Sequence, residues 1–505
     1  MVKQTADIEE VMKVYDEPLS GNAEKDVARL TAMLGQSDDI QVGHFLKGRI
    51  PFSVVHLEAM NNEEMIADAI NSPLLHVQNQ PDILPEFLFE KIEGTQSGPY
   101  YSFKEIIRSL LHGEVIVFVQ GCKFAAGVIG LLVEMRNVDE PANQTVIRGP
   151  KEGFVEGINV NTSLLRRRLR NPQLRFRKLS AGRSTQTEIR LCYLEDEADK
   201  EVLAEITRRI ESVKTEEVYE SGMLEELIDD YGTKHRWYSP FPTAQVTERP
   251  DTVSSEIQEG KIAVIVDGSP MCLVYPMTFL SYFHSAEDFY QRFDFASFIR
   301  FIRFAAFLIS LYLPSIYISV TTFHPELVAT DLLINLAAQR EGIPFPAFVE
   351  TLLMELIFEI LREGGVRMPR TIGPAISIVG AIVLGDSAVR AGLVSPAIVI
   401  VVSLTAISSF VAPAYNFSIS ARILRFVMMA FAATTGLFGV MIFSALLLIH
   451  LCSLESMGKP YFSPLAPINL KHHKDGFFRF PLWAKNVPFL KPWIRHDGKK
   501  ENRGT

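Results

Sequence analysis

Cysteine is scarce in this chain. Four occur in 505 residues, at positions 122, 192, 272 and 452, and no two form a C-x-x-C pair. A disulfide scaffold is thereby excluded. Positive charge is also short, with 50 Lys and Arg against 59 Asp and Glu, a net charge of -9. Such acidity argues against a general nucleic-acid binder, and no nucleic-acid partner is expected. The motifs of enzyme chemistry are missing as well. There is no G-x-x-x-x-G-K-[ST] loop and no H-E-x-x-H, and Gly149, Gly153 and Gly157 do not make a dinucleotide fingerprint. His472 and His473 lack a supporting Cys or acidic cluster. His324, Glu326 and Asp331 read as a loop at a membrane surface. No catalytic residue, metal ligand or cofactor is therefore expected, and the chain reads as a non-enzyme. Met1 to Glu17 is polar and acidic where a secretory leader needs a basic and then apolar run, so no signal peptide is expected.

Long apolar runs, by contrast, are present. Charged residues are 22% of the chain and apolar residues 48%, yet mean hydropathy is +0.14. A polar part joined to a very apolar part explains that mixture. The break falls near Arg300. Residues 304–323 carry no charge, and about twenty residues cross the hydrocarbon of a bilayer. Pro314 lies inside this run and should kink it. Residues 392–413 and 426–449 are two further full-length candidates. Two shorter segments, 371–385 and 348–361, could span in part, re-enter or line a cavity. About five membrane segments result. Arg292, Arg300 and Arg303, then Arg362, Arg367 and Arg370, then Arg422 and Arg425 flank them. Basic clusters favour the cytoplasmic side, which places the N-terminal region inside. Five crossings would leave the basic tail outside, against the same rule. A re-entrant segment would bring the tail inside.

The polar half reads as alternating strands and helices, duplicated. Residues 52–70 (FSVVHLEAMNNEEMIADAI) resemble residues 189–207 (IRLCYLEDEADKEVLAEIT). Leu57 and Glu58 match Leu194 and Glu195; Glu64 and Ala67 match Glu201 and Ala204. Downstream, 112–124 (HGEVIVFVQGCKF) resembles 259–271 (EGKIAVIVDGSPM), each with a Gly, an apolar strand, a polar-Gly turn and another strand. The expected fold class is an α/β soluble region of two related subdomains followed by an α-helical polytopic membrane domain. The expected divisions are 1–35, an N-terminal extension; 36–140, the first subdomain; 141–180, a basic connecting segment; 181–290, the second subdomain; 291–455, the membrane domain; and 456–505, a basic tail.

Two charged clusters are candidate sites. Arg166, Arg167, Arg168, Arg170, Arg175 and Arg177 lie within twelve positions. They suit a partner or a lipid headgroup, with a plain solvated face as the alternative. Within the apolar run 348–361 stand Glu350, Glu355 and Glu359, with Glu363 beyond. The last three are spaced by four and share a helix face; Glu350 points elsewhere. A carboxylate in hydrocarbon costs several kcal/mol, so these groups need water, a partner or a cavity. Repeated around an oligomer, the stripe makes rings of negative charge of the kind cation pores use. An interfacial helix, or pairing with Arg362 or Arg367, are the other readings. Gly373, Gly380 and Gly385, and the Ala432/Gly436 pair, suit close helix packing.

Long ordered strings carry a resemblance. They are GPKEGFVEGINVNTSLLRRRLRNPQLRFRKL at 149–179, ERPDTVSSEIQEGKIAVIVDGSPMCLVYPMTF at 248–279, and residues 323–410 from FHPELVATDLLINL to VSLTAISSF. The chain resembles the A subunit of bacterial spore germinant receptors, the GerA family, over about residues 30 to 465. The resemblance implies a multi-pass protein of the inner membrane of a dormant spore. It implies a homo-oligomer that works with a transporter-like B subunit and a lipoprotein C subunit, amid membrane lipid, and passes monovalent cations when nutrient binds. A non-conducting scaffold, or a transporter-like subunit that binds the nutrient itself, are the alternatives. The family includes sporulation-stage paralogues of the same architecture.

Overall fold

A computed structural model describes residues 15–47, 50–71, 95–129, 141, 144, 146, 148–229, 239–367, 385–411, 413–466 and 479–481. The chain divides into two compact units. One holds Met1–His235 and Ala244–Pro276; the other holds Arg236–Thr243 and Met277–Thr505.

The first unit is α/β. Helix α1 (Ala23–Met33) precedes strands β1 (Ile40–Lys47) and β2 (Ile50–Leu57), then β3 (Thr95–Tyr100), α2 (Phe103–Leu111), β4 (Val115–Val119) and β5 (Ala125–Ile129). These strands form one antiparallel sheet in the order β1-β2-β4-β5-β3. A second series follows: α3 (Ile158–Arg168), β6 (Leu174–Ala181), β7 (Thr187–Leu194), α4 (Lys200–Glu211), α5 (Ser221–Ile228), β8 (Gln245–Thr247), α6 (Pro250–Gln258), β9 (Ile262–Val266) and β10 (Cys272–Tyr275). Its sheet has the order β6-β7-β9-β10-β8. Counted from the first strand of each, the two orders are identical. The repeated sequences occupy equivalent places: β2 and β7 end at the matched Leu57 and Leu194, and β4 matches β9.

The shared glycines show why the motif recurs. Gly113 and Gly260 follow α2 and α6 with φ of +89° and +87°. In each case the next residue, Glu114 or Lys261, donates its N–H to a carbonyl five residues back, Ser109 or Glu256. Such a helix stop needs a left-handed residue, and glycine takes it without a Cβ clash. The apolar strands are buried on both faces. Ile116 and Phe118 of β4 meet α1 and α2. Val115, Val117 and Val119 point the other way, toward Ile66 and Ile70. Alternation with period two sends successive side chains to opposite faces, so VIVFV reads as one continuous run. Helix α1 falls within residues 1–35, α3 falls within residues 141–180, and β6 does so up to its last residue, Ala181. Each is built into a sheet layer: α1 packs on the first sheet, and β6 pairs with β7 along its whole length.

The second unit is helical. It contains α7 (Phe293–Thr322), α8 (Thr330–Arg340), α9 (Ala347–Arg367), α10 (Pro396–Ser409), α11 (Tyr415–Thr435) and α12 (Leu437–Ser453), then a small hairpin of β11 (Glu455–Ser456) and β12 (Lys459–Pro460). Among the described residues, α7 and α11 are long and apolar enough to cross a membrane, and α10 and α12 are shorter apolar helices. The helix continues through Pro314. Residues 371–384, with Gly373 and Gly380, lie outside the described residues.

Two expectations are corrected. The run 426–449 is not one span. It breaks at Gly436, whose φ is +65°. Phe431 and Phe443 then stand 5.3 Å apart, whereas twelve residues of straight helix would separate them by about 18 Å. Thus α11 and α12 form a helical hairpin, and Gly436 is its turn rather than part of a packing seam with Ala432. The apolar run 392–413 gives a helix of only 14 residues, because Ser395 caps it, accepting from the Ile398 N–H, and Pro396 opens it.

The ends of the helical unit meet. Phe279 N–H donates to Tyr461 O, and Met277 N–H donates to Ser456 Oγ. Arg479 donates from its N–H to Ser297 Oγ and from Nη1 to Gln291 O. The segment before α7 and the segment after α12 therefore share one end of this unit.

Candidate functional site

Helix α9 carries all four candidate glutamates. Its outward side is apolar, with Val349, Leu353, Leu356 and Ile360 exposed. Glu350, Glu355 and Glu359 lie on its inward side, and each carboxylate has a different environment. Glu350 is 0% exposed. Its Oε1 accepts from the Ser395 N–H at 2.5 Å, so the carboxylate caps the first turn of α10. Arg340 Nε stands 3.8 Å from its other oxygen.

Glu355 and Glu359 face α11. Arg425 Nη1 lies 2.9 Å from Glu355 Oε2, and Arg425 Nη2 is 3.3 Å from Glu359 Oε1. Arg422 Nη1 is 3.0 Å from Glu359 Oε2, and Arg362 Nη1 is 3.4 Å from Glu359 Oε1. Three guanidinium groups thus converge on two carboxylates. Glu355 and Arg425 are each 1% exposed. Arg362 also donates to Ser409 Oγ at 2.7 Å and lies over the Phe410 ring at 4.7 Å. Glu363 is exposed, and Arg367 Nη2 approaches it at 2.6 Å. The pairing with Arg362 and Arg367 considered from the sequence is present. The stronger partners are Arg422 and Arg425, which the sequence shows only as charges flanking an apolar run. Their spacing of three, on one helix face, is the signal that could have found them.

The arginine run in the soluble unit does not make one surface. Arg166 is 2% exposed, and it donates from Nε and Nη2 to the two Asp39 oxygens at 2.8 and 3.0 Å. Its guanidinium also covers the Phe176 ring at 5.1 Å. Arg175 is buried and donates to Pro172 O at 2.5 Å; burial and the Arg166 charge hold its pKa below the usual range. Both belong to the interior. Arg167 and Arg168 are half-buried, with Arg168 on Glu152 at 2.6 Å. Only Arg170 and Arg177 are fully at the surface.

Asp39 immediately precedes β1, whereas Arg166 lies in the last turn of α3, so their pair joins the two subdomains. Lys178 adds a second link, donating to Glu58 at 2.7 Å. Beside these links runs a cleft of about 390 Å³ lined by Glu58, Asn61, Asn62 and Glu63 of the first subdomain and by Asn159 and Val160 of the second. Nothing in the linear order points to Asp39 or Glu58 as partners across 127 or 120 positions.

The family of the Bacillus/Clostridium GerA spore germination protein matches residues 28–488. The chain belongs to the GerA family. Among relatives, spore germination protein KA of Bacillus subtilis (strain 168) is 40% identical over 481 residues, 92% of this chain and 86% of that protein. The uncharacterized membrane protein YfkQ of the same organism is 38% identical over 481 residues, 94% of this chain and 92% of that protein. Of solved structures, the N-terminal domain of the A subunit of the Bacillus megaterium spore germinant receptor GerK3 aligns with a TM-score of 0.41 and 24% identity, covering 52% of this chain and 98% of that one. Within the GerA family match lie both sheets and every helix described above except the first residues of α1. Among the described residues no group of three His, Cys, Asp or Glu is placed to hold a metal ion.

Proposed function

We propose that this GerA family member is the membrane subunit of a nutrient-responsive spore germinant receptor, and that it forms an oligomeric, ligand-gated path for monovalent cations. Transporter-like B and lipoprotein C subunits are its partners, and the inner spore membrane is its site. The observation that carries the reading is the clasp between α9 and α11. Two carboxylates on an apolar helix are held by Arg422, Arg425 and Arg362. Taking charges from water is expensive, and a well-packed apolar contact would stabilise the bundle as well or better. Retaining the charges is sensible if they serve more than packing. In the clasped arrangement the guanidinium groups neutralise Glu355 and Glu359. Withdrawal of α11 would release both carboxylates to a water-filled path shared with neighbouring copies.

The test is potassium efflux from vesicles holding the purified receptor, with and without a mixture of the twenty amino acids and glucose. Glu355→Gln with Glu359→Gln is expected to reduce stimulated efflux while the oligomer still assembles. Unchanged efflux would remove the conducting role and leave the scaffold reading. The shared position of the segments before α7 and after α12 further supports an even number of crossings, with the basic tail on the cytoplasmic side. A second reading, that this subunit itself takes up the nutrient, is favoured by the cleft beside Glu58 and Asn159.

A further inference from the structure

Ser239–Thr243 is the stretch by which the chain enters the helical unit between two passages through the soluble one. Almost every position is held. Ser239 Oγ pairs with His450 Nε2 of α12 at 2.9 Å. Pro240 O accepts from Ser420 Oγ of α11. Pro242 O accepts from Tyr282 OH at 2.8 Å, and Thr243 O accepts from Ser456 Oγ at 2.7 Å. Between them Phe241 is 0% exposed. Its ring centroid lies 6.1 Å from Phe417, 6.3 Å from Phe279, and 6.5 Å from both His450 and Tyr461. Pro240 and Pro242 on either side fix two φ angles, which stiffens the stretch.

The grip falls on the helix that holds the acidic stripe. Phe417 and Ser420 belong to the start of α11, and Arg422 and Arg425 follow on the same helix. Ser420 and Arg425 are separated by only about 7.5 Å of rise. A packed helix moves as a body, so a shift of its first turn moves both guanidinium groups. The loop is covalently continuous with the soluble unit on both sides, and its aromatic anchor packs on α11 through Phe417.

We propose that Phe241 is a positioning residue: seated in its aromatic cage, it sets the place of α11 and so keeps Arg422 and Arg425 on Glu359 and Glu355. The consequence for conduction rests on the reading under Proposed function. The place of α11 itself can be read without it.

The experiment uses the full chain, purified and reconstituted in vesicles of phosphatidylethanolamine and phosphatidylglycerol. Two quantities are recorded: resting potassium efflux, and the rate of maleimide labelling at Met428→Cys, a position on α11 that is buried. Phe241→Ala is expected to raise both at least about fivefold, the lower end of ordinary coupling between sites. Phe241→Leu, which keeps most of the volume, should stay within about twofold of the parent. Arg422→Gln should raise efflux too. Combining it with Phe241→Ala should add nothing beyond the larger single effect, because both act on one contact. Independent, multiplying effects would overturn the proposal, since they would mean a structural role separate from the clasp. So would unchanged labelling and efflux in Phe241→Ala while Glu355→Gln with Glu359→Gln still alters efflux. Faster labelling with efflux indifferent to every variant would uphold the positioning role and sink the conducting reading instead. Should Phe241→Ala fail to accumulate, Ser420→Ala removes only the hydroxyl bond to Pro240 O. The same two increases are then expected, and their absence overturns the proposal.

Discussion

Replacing Arg425 by methionine tests the clasp most directly. Arg425 and Glu355 are both 1% exposed, with nitrogen and oxygen 2.9 Å apart. At an effective dielectric near 20 the attraction at that distance is about 6 kcal/mol before the cost of desolvation. Losing Arg425 leaves Glu355 buried without its cation. Glu359 suffers less, since it keeps Arg422 at 3.0 Å and Arg362 at 3.4 Å. Removing one member of a buried pair typically destabilises by about 3–5 kcal/mol, and Arg425→Met is expected in that range. The companion is the double change Arg425→Met with Glu355→Leu. It removes both charges and fills the space with apolar atoms, so stability should return to within about 1–2 kcal/mol of the parent. Stimulated potassium efflux should not return, because the carboxylate is gone. Unfolding in mixed micelles with rising SDS, followed by circular dichroism, measures the first quantity. Vesicle efflux measures the second. If Arg425→Met keeps the parent's stability, or the double change is no better than the single, the clasp does not hold these helices and the reasoning fails.

Three further outcomes are expected. Arg166→Ala leaves Asp39 buried without its bidentate partner and should destabilise the soluble unit by about 3–5 kcal/mol in urea unfolding, with Arg166→Lys recovering only part. Burial, with the Asp229 and Glu220 charges, pushes the Glu225 carboxyl on α5 up to about 7 from its usual 4.5. The folded chain then holds a proton that the unfolded chain has released, so this group's stabilising share is complete below about pH 4.5 and is lost as pH rises through 7. Glu225→Gln should abolish that loss, seen as a flatter thermal midpoint between pH 5 and about 8. Single cysteines at Gln291 and Lys459 should label from the same side of sealed vesicles; opposite sides would refute the even count of crossings.

Periodicity and punctuation in the linear chain determine much of this protein. The two sheets were legible because each repeat carries its own local instructions: an apolar strand, a matched Leu-Glu, and a glycine that stops α2 or α6 in the left-handed region. The acidic stripe of α9 was legible because a spacing of four fixes a helix face whatever surrounds it. That Glu350 stands apart from Glu355 and Glu359 follows from the same geometry.

Tertiary structure alone decides what those faces meet. A run of 24 apolar residues from Phe426 to Ile449 satisfies any length criterion, yet Gly436 folds it back, because φ of +65° is available to glycine and the returning helix finds Phe431 to pack on. Six arginines close in sequence are divided between interior and surface, since whether a guanidinium is buried depends on an Asp39 that lies 127 residues away. Hydropathy shows that the glutamates of α9 need a polar neighbour; only the fold brings Arg422 and Arg425 to them. Local energies are set by neighbours along the chain and can be read there. Burial and charge pairing are set by neighbours in space, and a carboxylate that reads as lining water from its own helix can be clasped by arginines from the next.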